Sequence, residues 1–187
     1  MAFSKRFGQK LLPFFMIAVA VIFVMEGRKK LPLPAPDIQF IPVEQRSAEG
    51  TEFTLPSLHD NAIKLVDLRG NVVLLNFFAT WCPPCREEMP TIQALFETYQ
   101  HQGFVVLGVA SDAEGKKIVE PFVKEYKMTF PVALDSDSRV SQQYLVRSIP
   151  TIYLFDRHGR IAARVMSAGN WNSQQAKDAI EQLLREP

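Results

Sequence analysis

The chain is poor in the side chains that bind metals, with two cysteines and three histidines among its 187 residues. His59, His101 and His158 are single and scattered, so we predict surface residues, not the ligand set of a zinc site. A c-type haem attachment is also excluded, because it needs a histidine directly after the second cysteine, where Arg86 stands. Neither a metal nor another cofactor is therefore expected.

Positive charge is scarce beyond the N-terminus. The first thirty residues carry six Lys or Arg and one acid, so the rest has 15 basic and 19 acidic residues, a formal charge of −4. No basic stripe with interleaved aromatic residues is present, so we expect no nucleic-acid partner. The chain also lacks internal repeats, and its length suits one globular domain with extra segments.

An uncharged apolar run, residues 11–25, lies near the N-terminus. As a helix it would span roughly 22 Å, which is short of the roughly 30 Å hydrocarbon core unless Lys10 and Arg28 snorkel. We interpret residues 1–10 as a cytoplasmic N-terminus and residues 11–27 as a transmembrane signal anchor in the bilayer. A cleaved signal peptide is the alternative, although no small-x-small cleavage site follows the run. A buried soluble helix is a third interpretation.

Residues 28–47 are predicted to form a proline-rich spacer, and residues 48–187 the folded domain. Four prolines lie between Leu31 and Pro42, which indicates either an extended spacer or an ordered arm packed along the domain surface. In the domain, a β-hairpin precedes alternating strands and helices. Near-continuous apolar strands such as Val72–Phe78 predict an α/β fold with a central mixed sheet covered on both faces.

Both cysteines belong to the motif Trp81-Cys82-Pro83-Pro84-Cys85, between a buried strand and a helix from Pro83 to about His101. Two thiols at this spacing can close into a disulfide and reopen, which is typical of a thiol–disulfide oxidoreductase. A purely structural disulfide would close too small a loop to gain much entropy. Because disulfides persist outside the cytoplasm, we expect the domain there. The positive-inside rule favours this orientation only slightly, with three Lys or Arg on each side of the run.

The residues around the motif suggest how each thiol reacts. Cys82 occupies the N-cap position, where the helix dipole and free N–H groups stabilise a thiolate. Pro83 and Pro84 remove two N–H donors and leave that of Cys85 as the nearest. We therefore predict a better reductant than a strong oxidant with a potential of about −120 mV. Glu88 lies one turn beyond Cys85 and is predicted to accept its proton, unless Glu88 is a solvated surface charge.

The stretch Asn76–Pro90, with Ser148-Ile149-Pro150-Thr151, resembles the thioredoxin superfamily, and in particular its membrane-anchored TlpA/ResA-type thiol–disulfide oxidoreductases. The resemblance implies a thioredoxin-like fold in which Cys82 attacks and Cys85 resolves. It also implies a cis Pro150 that, with Ile149 and Trp81, contacts the substrate chain. Glu88 matches the family's active-site glutamate. Trp81 would shield the disulfide, although a role in core packing is equally compatible. Asn76 stands where thioredoxin has a buried aspartate.

The resemblance implies a reductase of protein disulfides on the extracytoplasmic side of a bacterial plasma membrane, supplied with electrons by a membrane thiol-relay protein. Cytochrome c maturation and metalloprotein assembly are the processes it suggests. Residues 146–151 lack the Gly-Val-x-Gly-x-Pro-Glu loop of the CcmG-type branch, so cytochrome maturation is not favoured. The alternatives are a non-enzymatic adaptor or metal-site chaperone, an oxidant of folding proteins, and a peroxiredoxin-type peroxidase. For the peroxidase, Leu75 and Ala79 depart from the Pro-x-x-x-Thr-x-x-Cys pattern.

Overall fold

A hairpin and a five-stranded sheet make up the β-structure of the computed structural model, which describes residues 32–48, 51–59 and 61–187. The strands are β1 (Thr54–Pro56), β2 (Ala62–Lys64), β3 (Val72–Phe78), β4 (Phe104–Ala110), β5 (Val132–Leu134), β6 (Thr151–Phe155) and β7 (Ile161–Val165). The hairpin joins β1 and β2, and the large sheet has the order β5-β4-β3-β6-β7. β3, β4 and β5 run parallel, whereas β6 pairs antiparallel with both β3 and β7. The predicted mixed sheet is confirmed.

Helices cover both faces of this sheet, as predicted. They are α1 (Pro83–Tyr99), α2 (Lys116–Glu125), α3 (Arg139–Gln143) and α4 (Gln174–Arg185). Every residue of β3 is buried, and alternate side chains point to opposite faces. Leu74 and Phe78 pack with α1, α2 and α4, whereas Leu75 and Phe77 pack with α3 and the hairpin. The central strand is therefore apolar on both sides because both sides are covered.

Residues 34–41 form an ordered arm along the domain, which is the second of the two interpretations of the proline-rich segment. Ile41 N donates to Ala162 O at 2.8 Å, and Phe40 forms an antiparallel bridge with Ala163 on β7. Ile38 and Phe40 pack against the core on the α1 side. The arm thus belongs to the same compact unit as the domain, which extends over Leu33–Pro187.

The N-terminal segments lie mostly outside the described residues. This applies to the predicted cytoplasmic N-terminus at 1–10, to the predicted signal anchor at 11–27, and to residues 28–31 of the predicted spacer. Among the helices that the structure does describe, none is long and apolar enough to cross a membrane.

Candidate active site

The two cysteines lie between the carboxyl end of β3 and the first turn of α1, where they form a disulfide with a Cα–Cα distance of 5.3 Å. Cys82 is the N-cap residue of α1, and Pro83 and Pro84 occupy its first two positions. Cys85 N donates to Cys82 Sγ at 3.3 Å, as expected from the loss of the two proline donors. Cys82 is 3% exposed and Cys85 is fully buried, so substrate reaches Cys82 first.

A buried aspartate holds the turn that leads into the motif. Asp112 is the second residue after β4, and both of its carboxylate oxygens accept from Thr80 N at 3.1 Å. One of them also accepts from Thr80 Oγ1 at 2.8 Å. Sequence reasoning missed this pair, although parallel strands end at the same edge of a sheet, so a polar residue just after β4 was a usable signal. Asp112 therefore fixes the backbone immediately before Trp81 and Cys82.

The three residues predicted to contact substrate come together beside the disulfide. Ile149 O lies 3.7 Å from Cys82 Sγ, and the Ile149–Pro150 peptide bond is cis, as the family resemblance implied. Trp81 and Ile149 line an open groove of ≈ 420 Å³, which Ser111, Ser141 and Arg147 also line. Trp81 is 68% exposed, so the alternative that it packs in the core is wrong. Pro150, which follows Ile149, is buried and does not line this groove.

Glu88 is fully buried, so the alternative of a solvated surface charge is wrong. Burial raises the pKa of Glu88 from its ordinary value of 4.5 to about 8, because the charged form loses its hydration. Gly169 N donates to Glu88 Oε2 at 3.3 Å and counters part of the rise in pKa. The nearby Trp171 indole also lowers the pKa, although its Nε1 is not in hydrogen-bonding geometry with Glu88. Glu88 thus keeps a proton to near-neutral pH and can accept another group's proton only in its ionised form. It lies one turn from Cys85 on the same helix.

Several buried polar atoms near this helix face lack a hydrogen-bond partner within the described residues. They are Glu88 Oε1, Trp171 Nε1, and both side-chain amide atoms of Asn76. Asn76 lies two residues from both Leu74 and Phe78 on β3, so its side chain points to the same face of the sheet, which α1 covers. Trp171 is fully buried and packs in the core just before α4. Of these three buried polar side chains, Glu88 is the one that can gain or lose a proton near neutral pH.

Metal ligands do not cluster in the described part of the chain, where no group of three or more His, Cys, Asp or Glu could hold a metal ion. His59, His101 and His158 are all exposed, as predicted. The chemistry of this site thus rests on the dithiol, Glu88 and the groove.

Comparison with known proteins identifies the family. The model of the AhpC/TSA family matches residues 47–164, which is more than half of the chain. The chain belongs to the AhpC/TSA family of thioredoxin-like proteins. It is 33% identical over 141 residues to the thiol–disulfide oxidoreductase ResA of Bacillus cereus (strain ZK / E33L), covering 75% of this chain and 78% of that protein. It is 35% identical over 132 residues to ResA of Geobacillus thermodenitrificans (strain NG80-2), covering 71% and 74%.

Solved structures similar to this chain also include thiol–disulfide proteins of this fold. A Chlorobium tepidum protein, described as a candidate thiol:disulfide interchange protein DsbE, matches with a TM-score of 0.67 and 30% identity over 71% of this chain and 93% of that one. StoA from Bacillus subtilis matches with a TM-score of 0.59 and 26% identity, covering 72% and 98%. This AhpC/TSA-family chain is thus an enzyme, a thiol–disulfide oxidoreductase of the ResA type, and not a non-enzymatic adaptor.

Proposed function

We propose that this oxidoreductase reduces disulfides of protein substrates while tethered to the outer face of a bacterial plasma membrane. The carrying observation is the position of Cys82 Sγ, 3.3 Å from Cys85 N and 3.7 Å from Ile149 O at the groove. Pro84 occupies the second helical position and donates no N–H, so the thiolate is less stabilised than with donors at both the second and the third position. A less stabilised thiolate gives up electrons more readily, which favours reduction of the substrate.

In the proposed reaction, the Cys82 thiolate attacks one sulfur of a substrate disulfide. That bond breaks, a mixed disulfide forms at Cys82, and the second substrate sulfur leaves as a thiolate that takes a proton from solvent. Cys85 then loses its proton, attacks Cys82 Sγ and releases the first substrate sulfur. The substrate gains two electrons, and the enzyme ends with the Cys82–Cys85 disulfide that the structure shows. A dithiol of a membrane thiol-relay protein returns the two electrons.

Glu88 is the proposed proton acceptor for Cys85. Both side chains are fully buried on α1, so water does not compete readily for the proton. A carboxyl with a pKa of about 8 is close to the ordinary pKa of a thiol, about 8.5, which makes the transfer nearly balanced. Protonated Glu88 can then return the proton to the departing substrate thiolate.

Residues 11–27 are the proposed tether, and their apolar sequence supports it. The groove lined by Trp81 and Ile149 is the proposed seat for an extended substrate chain, and the cis Pro150 follows Ile149 directly. Substrates in cytochrome c maturation or metalloprotein assembly fit this placement, since their cysteines must be reduced before they bind a haem or a metal.

A trapping experiment tests this function. In full-length Cys85→Ser, the mixed disulfide at Cys82 cannot be resolved, so we expect adducts that disappear when the gel is run with a reducing agent. Protease added to intact spheroplasts should digest them, because the domain lies outside the membrane.

The matched control is Cys82→Ser/Cys85→Ser, which should form no adducts. If Cys85→Ser accumulates no more adducts in cells than this control, the exchange mechanism is refuted. Adducts that resist external protease would instead refute the proposed location.

A further inference from the structure

The proline-rich arm contacts the loop between β7 and α4, and this loop also contacts Glu88 on α1. Asn170 N donates to Pro34 O at 2.7 Å. A Cβ atom on Gly169 would lie 2.9 Å from Pro36 Cβ and 3.1 Å from Pro36 Cα and N, so the arm fits against a position that has no side chain. Pro36 is buried in this contact. The arm therefore sets where the backbone of residues 169–170 can lie.

The same loop is fixed to α1 from its other side. Gly169 N donates to Glu88 Oε2 at 3.3 Å, and Trp171 N donates to Thr91 Oγ1 at 3.0 Å. Thr91 lies one turn after Glu88, and its hydroxyl donates to Glu88 O at 2.7 Å. The loop is thus held between α1 and the arm. Within the described residues, the hydrogen bond that joins the loop to the Glu88 carboxylate comes from the Gly169 amide, while the Trp171 indole lies nearby without forming one.

We propose that Pro34 and Pro36 position the Gly169 amide against Glu88, so that docking of the arm sets the proton affinity of this carboxyl. The arm is then part of the active site, acting through Gly169. The functional meaning of this inference rests on the proposed role of Glu88 as proton acceptor. The coupling between the arm and Glu88 does not depend on that role, because it can be measured in the oxidised enzyme without turnover.

The Gly169 amide is the strongest of the groups that lower the pKa of Glu88. Desolvation is the largest influence on the pKa of Glu88, followed by the Gly169 amide and the Trp171 indole. No charged side chain within the described residues takes part in setting it. The nearby titratable groups are Cys85 and Cys82, which do not titrate while they form the disulfide. A displaced amide should therefore leave the carboxylate less stabilised and raise the pKa of Glu88.

The test is an NMR titration of the oxidised full-length chain, which follows the Glu88 carboxyl carbon and the Gly169 amide from pH 5 to 10. In the unmodified protein both signals should report one transition near the pKa of about 8. Glu88→Gln should remove that transition from the Gly169 amide. Gly169→Ala and Pro36→Gly should each raise the Glu88 midpoint by about half a unit, roughly a threefold change in proton affinity. Pro32→Gly is the matched control, because Pro32 is an exposed proline of the same segment.

Unchanged midpoints in Gly169→Ala and Pro36→Gly would overturn the inference. A midpoint that falls towards the ordinary value of 4.5 would also overturn it, since the arm would then act by excluding water. Pro36→Gly decides the matter if Gly169→Ala does not fold. The proposed role of Glu88 as proton acceptor fails separately, if Glu88→Gln reduces insulin disulfides with an unchanged pH profile.

Discussion

The backbone donors available to Cys82 depend on single residues. An N-cap side chain accepts from the second or third helical N–H, and Pro84 occupies the second position while Cys85 supplies the third. Pro84→Ala should restore a donor that stabilises the thiolate. Because a hydrogen bond to a charged group contributes about 1.5–3 kcal/mol and 1.4 kcal/mol equals about 30 mV, the reduction potential should rise by about 30 mV or more. Redox titration against glutathione with thiol alkylation measures it.

Pro83→Ala provides the control for that titration. It also restores an N–H in the first turn, but at the first position, which does not serve an N-cap side chain. Its potential should stay close to that of the unmodified enzyme. Equal potentials for Pro84→Ala and the unmodified enzyme would contradict the account of the donors.

Glu88 should make the stability of the fold depend on pH. The folded pKa of about 8 lies above the ordinary 4.5, so folded Glu88 stays protonated where an unfolded chain has lost that proton. This contribution to stability is complete below the unfolded pKa and is lost as pH rises towards about 8, by up to about 1.4 kcal/mol per pH unit. Urea unfolding of the oxidised enzyme between pH 5 and 8 should show this slope, and Glu88→Gln should flatten it. Parallel profiles would show that Glu88 ionises freely.

At the scale of elements, prediction from sequence was accurate where packing is continuous. The apolar runs Val72–Phe78, Phe104–Ala110 and Thr151–Phe155 each predict a strand, and β3, β4 and β6 have these bounds, since an apolar strand covered on both faces has an unbroken apolar pattern. Elements at the edges of the fold are shorter than predicted. The apolar run from Phe130 to Leu134 also predicts a strand, but β5 begins at Val132, because its ladder with β4 covers three residues and its other side has an isolated bridge, Ser57 to Ala133. Edge pairing depends on neighbours that the local pattern does not show.

The arrangement of the site was predictable within α1 and much less so across the fold. Cys82, Cys85 and Glu88 share a helix, so their spacing alone placed them together. Gly169 is 81 residues from Glu88, and nothing local in either segment indicates their hydrogen bond. The burial that raises the pKa of Glu88 also arises from tertiary packing. Sequence thus indicates which groups react, while the fold determines their proton affinities.

At the scale of the whole molecule, the buried Arg46 links the arm to the turn after β6 and to the C-terminal end of α4. Arg46 forms ion pairs with Asp156, at 3.3 Å, and with Glu186 beyond the end of α4. Its Nε also donates to Ile41 O at 3.0 Å. The Arg46 and Asp156 side chains are each 2% exposed, so water screens this pair little. This network therefore joins the segment before β1 to the residues after α4.

Arg46→Ala should therefore destabilise the whole domain. Removal of one partner leaves a buried charge without its counterpart, which typically costs 3–5 kcal/mol. Here Asp156 keeps Arg160, at 2.9 Å, and Glu186 is partly exposed, so we expect the lower end, about 3 kcal/mol. Urea unfolding of the full-length oxidised enzyme measures the loss. Lys124→Ala, which removes an exposed ion pair with Glu120, should leave the unfolding free energy unchanged. A similar, small effect of both variants would mean that the arm is held by its apolar and backbone contacts alone.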